Sequence, residues 1–194
     1  MKELIKLEIG AGKKPRTDFI TCDIRALENV DVVCDTMDLP YDDDTVSEIY
    51  SRHLIEHFSF KEFLVVLTEW NRVLETNGEV YIICPNLMWH LNQIINGSHK
   101  SFFTVDRGKN DRYWGFGSLF GWQQDSHDFH KFGYYFELLH DILEVMGFGD
   151  IEDLTNKEGS MEKAPWHLEV KCKKKKKSPD PLTLDLYNHF DVNH

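Results

Sequence analysis

Five short runs rich in valine, isoleucine and leucine, at residues 4–9, 19–22, 30–34, 46–50 and 80–84, constrain this chain more than any other feature. Each is too short for an ordinary helix and too uniformly apolar for a strand with one wet face. They read as strands buried on both faces, the mark of a parallel sheet. Between the fourth and fifth, Phe60, Phe63, Leu64, Leu67 and Leu74 mark a helical stripe broken by Asn71. Ser59 and Glu62 make a capping box before it, and Asn77-Gly78 is expected to stop it. A second stripe runs Tyr135, Leu138, Leu139, Ile142, Leu143, Met146 and ends at Gly147. Residues 150–154 and 167–172 complete the strand set, the latter alternating like a partly solvated edge pair. Strands alternating with helices predict an α/β, Rossmann-like fold: a mostly parallel seven-stranded sheet with an antiparallel edge hairpin.

The chain's 194 residues suit one core and are too few for two ordinary enzyme domains, so residues 1–177 are expected to form a single domain. Residues 86–131 fit neither period, yet carry Trp89, Tyr113, Trp114, Phe116, Phe120 and Trp122. A connection that long is usually functional, and its aromatic density argues against disorder. It is expected to cap the sheet's carboxyl edge. Residues 178–194, with Pro179 and Pro181, read as a loosely attached extension.

The net charge is −11, and removing the six lysines of residues 171–177 takes it to −17. So acidic a body would repel a phosphate backbone, which disfavours nucleic acid as partner, and the lysine run reads as the solvated end of an edge strand. No apolar run approaches the ~20 residues that cross a bilayer. Residues 1–6 lack the basic start, apolar centre and cleavage site of a signal peptide. Cys22, Cys34, Cys84 and Cys172 form no C-x-x-C pair and read as buried free thiols. A cytoplasmic protein without a membrane partner is expected.

Directly after the first run stands Glu8-Ile9-Gly10-Ala11-Gly12. Glycines there let the backbone approach a ligand closely, though alone they specify no more than a tight turn. Asp23 closes the second run, where a carboxylate can accept from two ribose hydroxyls, and Asp35 closes the third. All three fall at carboxyl ends of neighbouring parallel strands, where open α/β sheets bind ligands.

These segments resemble the class I S-adenosylmethionine-dependent methyltransferases. Residues 7–12 are similar to that family's first motif. Asp35-Thr36-Met37-Asp38-Leu39-Pro40-Tyr41 is similar to its Asp-x-x-x-Leu-Pro-Phe signature, Ser51 to Phe58 resembles its post-strand-four segment, and Leu143 to Phe148 its Leu-x-x-x-Gly-Phe. The resemblance implies S-adenosylmethionine as cofactor. It assigns Gly10, Ala11 and Gly12 to the methionine moiety, Asp23 with neighbouring Ile24 to the ribose side, and Asp35, Thr36 and Met37 to the adenine border. Ser51, Arg52 and His57 approach the methionine end, and Glu8 acts indirectly. The link from Lys13 to Asp18 is only six residues, where a parallel crossover normally takes about a dozen. The first helix is therefore expected to be missing, as in an abbreviated subset of the family, and a homodimer could cover the exposed sheet face.

His53-x-x-Glu56-His57 also matches an inverted zinc-protease motif. Its place straight after a strand and before a capped helix argues against that chemistry, and no metal is expected. Methyl transfer to a hydroxyl needs a base near neutral pH. Asp125, His127, Asp128 and His130 cluster before the second helix; singly, each fits a solvated loop as readily as catalysis. His130 is the first candidate base and His57 the second. The expected activity is methyl transfer to an oxygen or nitrogen of a small-molecule or glycan acceptor. The rival is a cofactor-binding pseudoenzyme or regulatory subunit. A dinucleotide or nucleotide-sugar enzyme is disfavoured by the Asp35 to Pro40 segment.

Overall fold

The computed structural model describes residues 5–12, 15–99, 105–106, 112–113, 115–124, 126 and 128–184. In its sheet β1 (Ile5–Ile9) is flanked by β2 (Ile20–Asp23) and the central strand β4 (Val46–Arg52), with β3 (Val32–Val33) beyond β2. On the other side follow β5 (Leu74–Pro85), β10 (His167–Lys174) and β9 (Phe148–Asp153), giving the order β3-β2-β1-β4-β5-β10-β9. The first five strands pair in parallel, and β10 runs antiparallel to both neighbours. The expected Rossmann-like sheet of seven strands is therefore present. Its edge differs in one respect: residues 167–172 lie inside the sheet and β9 forms the rim. The alternation in β10 comes from two differently filled faces, since Leu168, Val170 and Cys172 enter the main core while Lys171 and Lys173 pair with Glu79 on the opposite face.

Helix α1 (Phe60–Val73) starts as its capping box dictates, with the Glu62 amide donating to Ser59 Oγ at 3.4 Å and the Ser59 amide donating to Glu62 Oε2 at 2.7 Å. It stops four residues before Asn77-Gly78, and the chain passes directly into β5. Asn77 (φ 65°) and Gly78 instead form a kink inside that strand. There β5 advances from Leu74 to Glu79 while β4 advances only from Val46 to Glu48. A side chain at Gly78 would meet the Glu75 carbonyl at 2.8 Å.

Helices α1 and α4 (Phe136–Val145) bury their stripes in one core with Leu7, Ile49 and Ile82. Trp70 is fully buried there, and its roughly 200 Å² of surface contributes up to about 5 kcal/mol. Asn71 interrupts the stripe because it is a buried clamp. Its Nδ2 donates to the carbonyls of Met146 and Lys176, and its Oδ1 accepts from the Ser178 amide. The extension is thus anchored at Ser178, and Leu184 packs against the core.

The opposite face carries a separate cluster of Phe19, Tyr50, Tyr81, Ile83 and Leu154. The Arg16 guanidinium lies 4.9 Å from the Phe19 ring centre and 5.0 Å from that of Tyr50, and Lys6 pairs with Glu48 at 2.8 Å. Among the described residues the link from β1 to β2 holds no helix. Aromatic rings under an arginine, flanked by ion pairs, give this face a polar finish of its own.

Residues 86–131 are not a structureless connection. They hold α2 (Leu87–Asn96), capped by Asn86, a small antiparallel sheet of β6 (Ser98–His99), β7 (Val105–Asp106) and β8 (Arg112–Tyr113), and α3 (Gly115–Phe120). Helix α2 buries only His90, and its apolar residues Leu87, Leu91, Ile94 and Ile95 stay partly or fully exposed. The lysine run is not simply solvated either. Lys174 is buried, its Nζ donating to Asp44 at 2.6 Å and to the Leu74 carbonyl at 2.7 Å, and Lys175 pairs with Asp150. No helix of the described residues is long and apolar enough to cross a membrane.

Candidate functional site

The strand order reverses between β1 and β4, and crevices open at such switch points, outside the carboxyl ends of the strands. A cavity of about 520 Å³ lies there, bordered by Gly10, Asp23, Ile24, Thr36, Leu54 and His57. That size is typical of a small-ligand site. Gly10 stands at φ 73°, and an added Cβ would press on Leu54 at 3.0–3.2 Å, so the turn admits no side chain. Its amides are committed: Gly10 and Ala11 donate to the Cys22 carbonyl, and Gly12 donates to Asp23 Oδ2 at 3.1 Å. The turn therefore offers a ligand space above Gly10 rather than free donors.

Of the expected cofactor residues, Gly10, Asp23, Ile24, Thr36 and His57 border the cavity. Glu8, Ala11, Gly12, Asp35, Met37, Ser51 and Arg52 stand outside its lining. Glu8 is buried and accepts from the Arg16 amide; burial pushes its carboxyl above the ordinary range. Asp35 is exposed and accepts from the Met37 amide, holding the turn that places Thr36. Thr36 in turn accepts from Trp70 Nε1 at 2.9 Å. Met37 packs against the core, Ser51 is buried, and Arg52 pairs with Glu162 at 2.5 Å. The Asp-x-x-x-Leu-Pro segment is fastened from α1: Glu69 accepts from the Leu39 amide, and Arg72 donates to the Leu39 and Tyr41 carbonyls and to Asp43.

Asp23 is engaged on every side. Oδ1 accepts from the Arg25 amide and Nε, and Oδ2 from Gly12 and Arg25 Nη2, all at 2.9–3.1 Å. Burial alone would raise its carboxyl, but these donors outweigh it and hold the group below the ordinary range. Arg25 was not singled out from sequence, since nothing in its spacing marks it.

A second cavity of about 280 Å³ adjoins the first, and His53, His57, Trp122 and Asp128 border both. Its other walls include His90, His130, Trp166 and His167. Five histidines thus meet around one chamber, drawn from β4's end, α2, the loop before α4 and β10. His53 and His167 lie 4.9 Å apart, ring centre to ring centre, and His57 and His130 lie 4.8 Å apart at 88°. Burial pushes His90 and His167 down to about 4 and lowers His130 from its ordinary value, so all three are neutral near pH 7. The expected bases His130 and His57 are therefore brought together at the chamber. Asp128 lines it too, while Asp125 and His127 lie outside the described residues. His90, His167 and Trp166 were not found from sequence, because they converge from segments that share no local pattern.

The segment His53 to His57 is not a zinc-protease helix. His53 has a left-handed φ of 52°, and only Ile55–His57 form a single 3₁₀ turn. Its Nδ1 lies 3.1 Å from Glu56 Oε1.

Residues 8–82 match the family described as Methyltransferase domain. No curated protein matches the chain. Among solved structures it is similar to a SAM-dependent methyltransferase from Archaeoglobus fulgidus, 18% identical, covering 89% of this chain and 87% of that one with TM-score 0.55. It is similar also to a SAM-dependent methyltransferase, possible histamine N-methyltransferase, from Thermotoga maritima, at 15% identity, 90% and 84% coverage and TM-score 0.56. A third is the Burkholderia thailandensis 1,6-didemethyltoxoflavin-N1-methyltransferase, solved with 1,6-didemethyltoxoflavin and S-adenosylhomocysteine, at 12% identity, 90% and 72% coverage and TM-score 0.54. Its fold and the matched residues 8–82 make the chain similar to class I S-adenosylmethionine-dependent methyltransferases. The larger cavity has a lining compatible with S-adenosylmethionine: a carboxylate at Asp23, now held by Arg25 and Gly12, the 58% exposed apolar side chain of Ile24, and close backbone at Gly10.

Proposed function

We propose that the enzyme methylates an oxygen or nitrogen of a small-molecule or glycan acceptor, with the cofactor in the larger cavity and the acceptor in the histidine-lined chamber. The observation that carries this is the shared wall: His53, His57, Trp122 and Asp128 border both cavities, so two ligands would meet there. S-adenosylmethionine supplies an electrophilic methyl group on a sulfonium. The chain's part is to align a nucleophile with it, exclude water and take a proton.

Asp23 accepts from the ribose diol, Ile24 and Thr36 flank the adenine, and the bare backbone at Gly10 lets the amino-acid end lie close. Glu8, Ala11, Gly12, Asp35, Met37, Ser51 and Arg52 act through the turn and strands that hold these residues. Trp122 and Trp166 offer flat faces to a sugar or planar ring. His130, neutral through burial, is placed to take the acceptor's proton, and His57 stands beside it at the boundary. The acidic surface leaves nucleic acid disfavoured as acceptor.

Calorimetry with S-adenosylmethionine and S-adenosylhomocysteine tests the cofactor site, and micromolar binding of both is expected. Binding of neither would refute the proposal. Release of S-adenosylhomocysteine across a panel of hydroxyl and amine acceptors then separates an enzyme with this acceptor class from a cofactor-binding pseudoenzyme, for which no acceptor raises turnover.

A further inference from the structure

Glu56, His57 and His130 each bring one ligand-capable atom to within 4.8 Å of the others. A hydrogen bond elsewhere on each side chain leaves a ligand atom free. Nδ1 of His57 faces the Phe129 carbonyl at 3.2 Å and Nδ1 of His130 the Ser118 carbonyl at 3.0 Å. Both nitrogens donate, so the lone pair of each imidazole resides on Nε2, the arrangement typical of metal-binding histidines. Glu56 Oε1 is engaged by His53, whereas Oε2 is buried without a hydrogen-bond partner in a residue 2% exposed. Leaving such an oxygen unsatisfied costs on the order of 1–3 kcal/mol, and a cation would satisfy it.

We infer that Glu56, His57 and His130 form a binding site for a divalent transition cation of the zinc type. Two imidazoles and one carboxylate favour Zn²⁺, Co²⁺ or Ni²⁺ over Mg²⁺ or Ca²⁺, which prefer oxygen-rich sites. Bonds of about 2.0–2.1 Å in a tetrahedron place ligand atoms about 3.4 Å apart, so the spacing here closes by up to about 1.5 Å on loading. Three protein ligands leave a fourth position, and His57 and His130 turn it toward the chamber they line. The site departs from the zinc-protease pattern that the segment superficially matches: Glu56 is a ligand rather than a base, His53 positions it, and the third ligand comes from the loop before α4.

Metal binding stands independently of methyl transfer. Only its use, holding an acceptor oxygen or nitrogen in the open position, rests on the proposed function, and in the loaded enzyme His57 and His130 serve as ligands instead of bases. The test uses the full chain, stripped with a chelator and free of cofactor. Titrated with Co²⁺, it should develop visible absorption of low-symmetry Co²⁺ at one equivalent, abolished by Zn²⁺. Glu56→Gln and His130→Gln should weaken Zn²⁺ at least about 100-fold by calorimetry, while His140→Ala, on the exposed face of α4, leaves it unchanged. X-ray absorption at the zinc edge needs no variant and should find two imidazoles. No Co²⁺ spectrum, a zinc shell without imidazole, or wild-type affinity in folded Glu56 and His130 variants would each overturn the assignment. A chain that binds Zn²⁺ but not S-adenosylmethionine would refute the transferase proposal alone, and the converse would refute this site alone.

Discussion

Removing Arg25 should tighten cofactor binding. A carboxylate offers about four lone-pair positions, and in this structure Asp23 uses all four: two for backbone amides and two for the Arg25 guanidinium. A ribose diol can reach Asp23 only when the guanidinium leaves, because the Gly12 and Arg25 amides are fixed by the chain. The Arg25 side chain is 45% exposed and that of Asp23 4%, so the pair is partly screened and worth about 0.5–1 kcal/mol. Arg25→Ala removes that cost, which at 1.4 kcal/mol per tenfold corresponds to a roughly two- to fivefold lower Kd. Calorimetry with S-adenosylhomocysteine at two salt concentrations reads it: wild-type affinity should rise with salt, and the variant should bind more tightly with the dependence flattened. Weaker binding by a correctly folded Arg25→Ala protein would refute the reasoning, since Arg25 would then be a contact for the cofactor and not its competitor.

Asn71→Leu leaves the Met146 and Lys176 carbonyls and the Ser178 amide unpaired in the core. It should cost about 3 kcal/mol in denaturant unfolding despite the added apolar surface. Glu169 is buried and accepts from Tyr81, Ser160 and the amides of Met161 and Glu162. In Glu169→Gln a side-chain NH₂ must face one of those amides, and a loss of about 3 kcal/mol with a Tm lower by roughly 6–12 °C is expected in calorimetric melts. The Ser59 amide, then the Ser59 hydroxyl and Lys131, hold Glu62 down to about 2 from an ordinary 4.5. With the folded value depressed, its stabilisation is present above about pH 4.5 and lost as pH falls toward 2. Glu62→Gln should therefore cost about 0.5–1 kcal/mol at pH 7, small because the group is exposed, and nothing near pH 2 in unfolding titrations. With its second sheet face finished by Arg16, Phe19, Tyr50 and paired charges, the chain should scatter light as a 22.8 kDa monomer.

The sequence by itself determined the sheet, the start of α1 and the corner where Gly10 and Asp23 border the larger cavity. Short apolar runs, Ser59 with Glu62, and Gly10 with Asp23 act over a few residues, where period, capping and backbone sterics dictate structure locally. It also announced that no helix stands among the described residues between β1 and β2, because a six-residue link is too short for a parallel crossover through one. Misreadings arose wherever a residue's partner lay far along the chain. Asn77-Gly78 reads as a helix stop, yet pairing with β4 draws the chain out at Leu74 and leaves the glycine to kink a strand. Asn71 reads as a flaw in a stripe, until Met146 and Ser178 arrive beside it. Lys174 reads as solvated, until β10 carries it to Asp44. The chamber belonged wholly to tertiary structure: His57, His90, His130 and His167 lie on four segments with no common spacing. Only the folding of the cap and β10 over the carboxyl ends of β4 and β5 sets their rings against one another and leaves one oxygen of Glu56 without a donor.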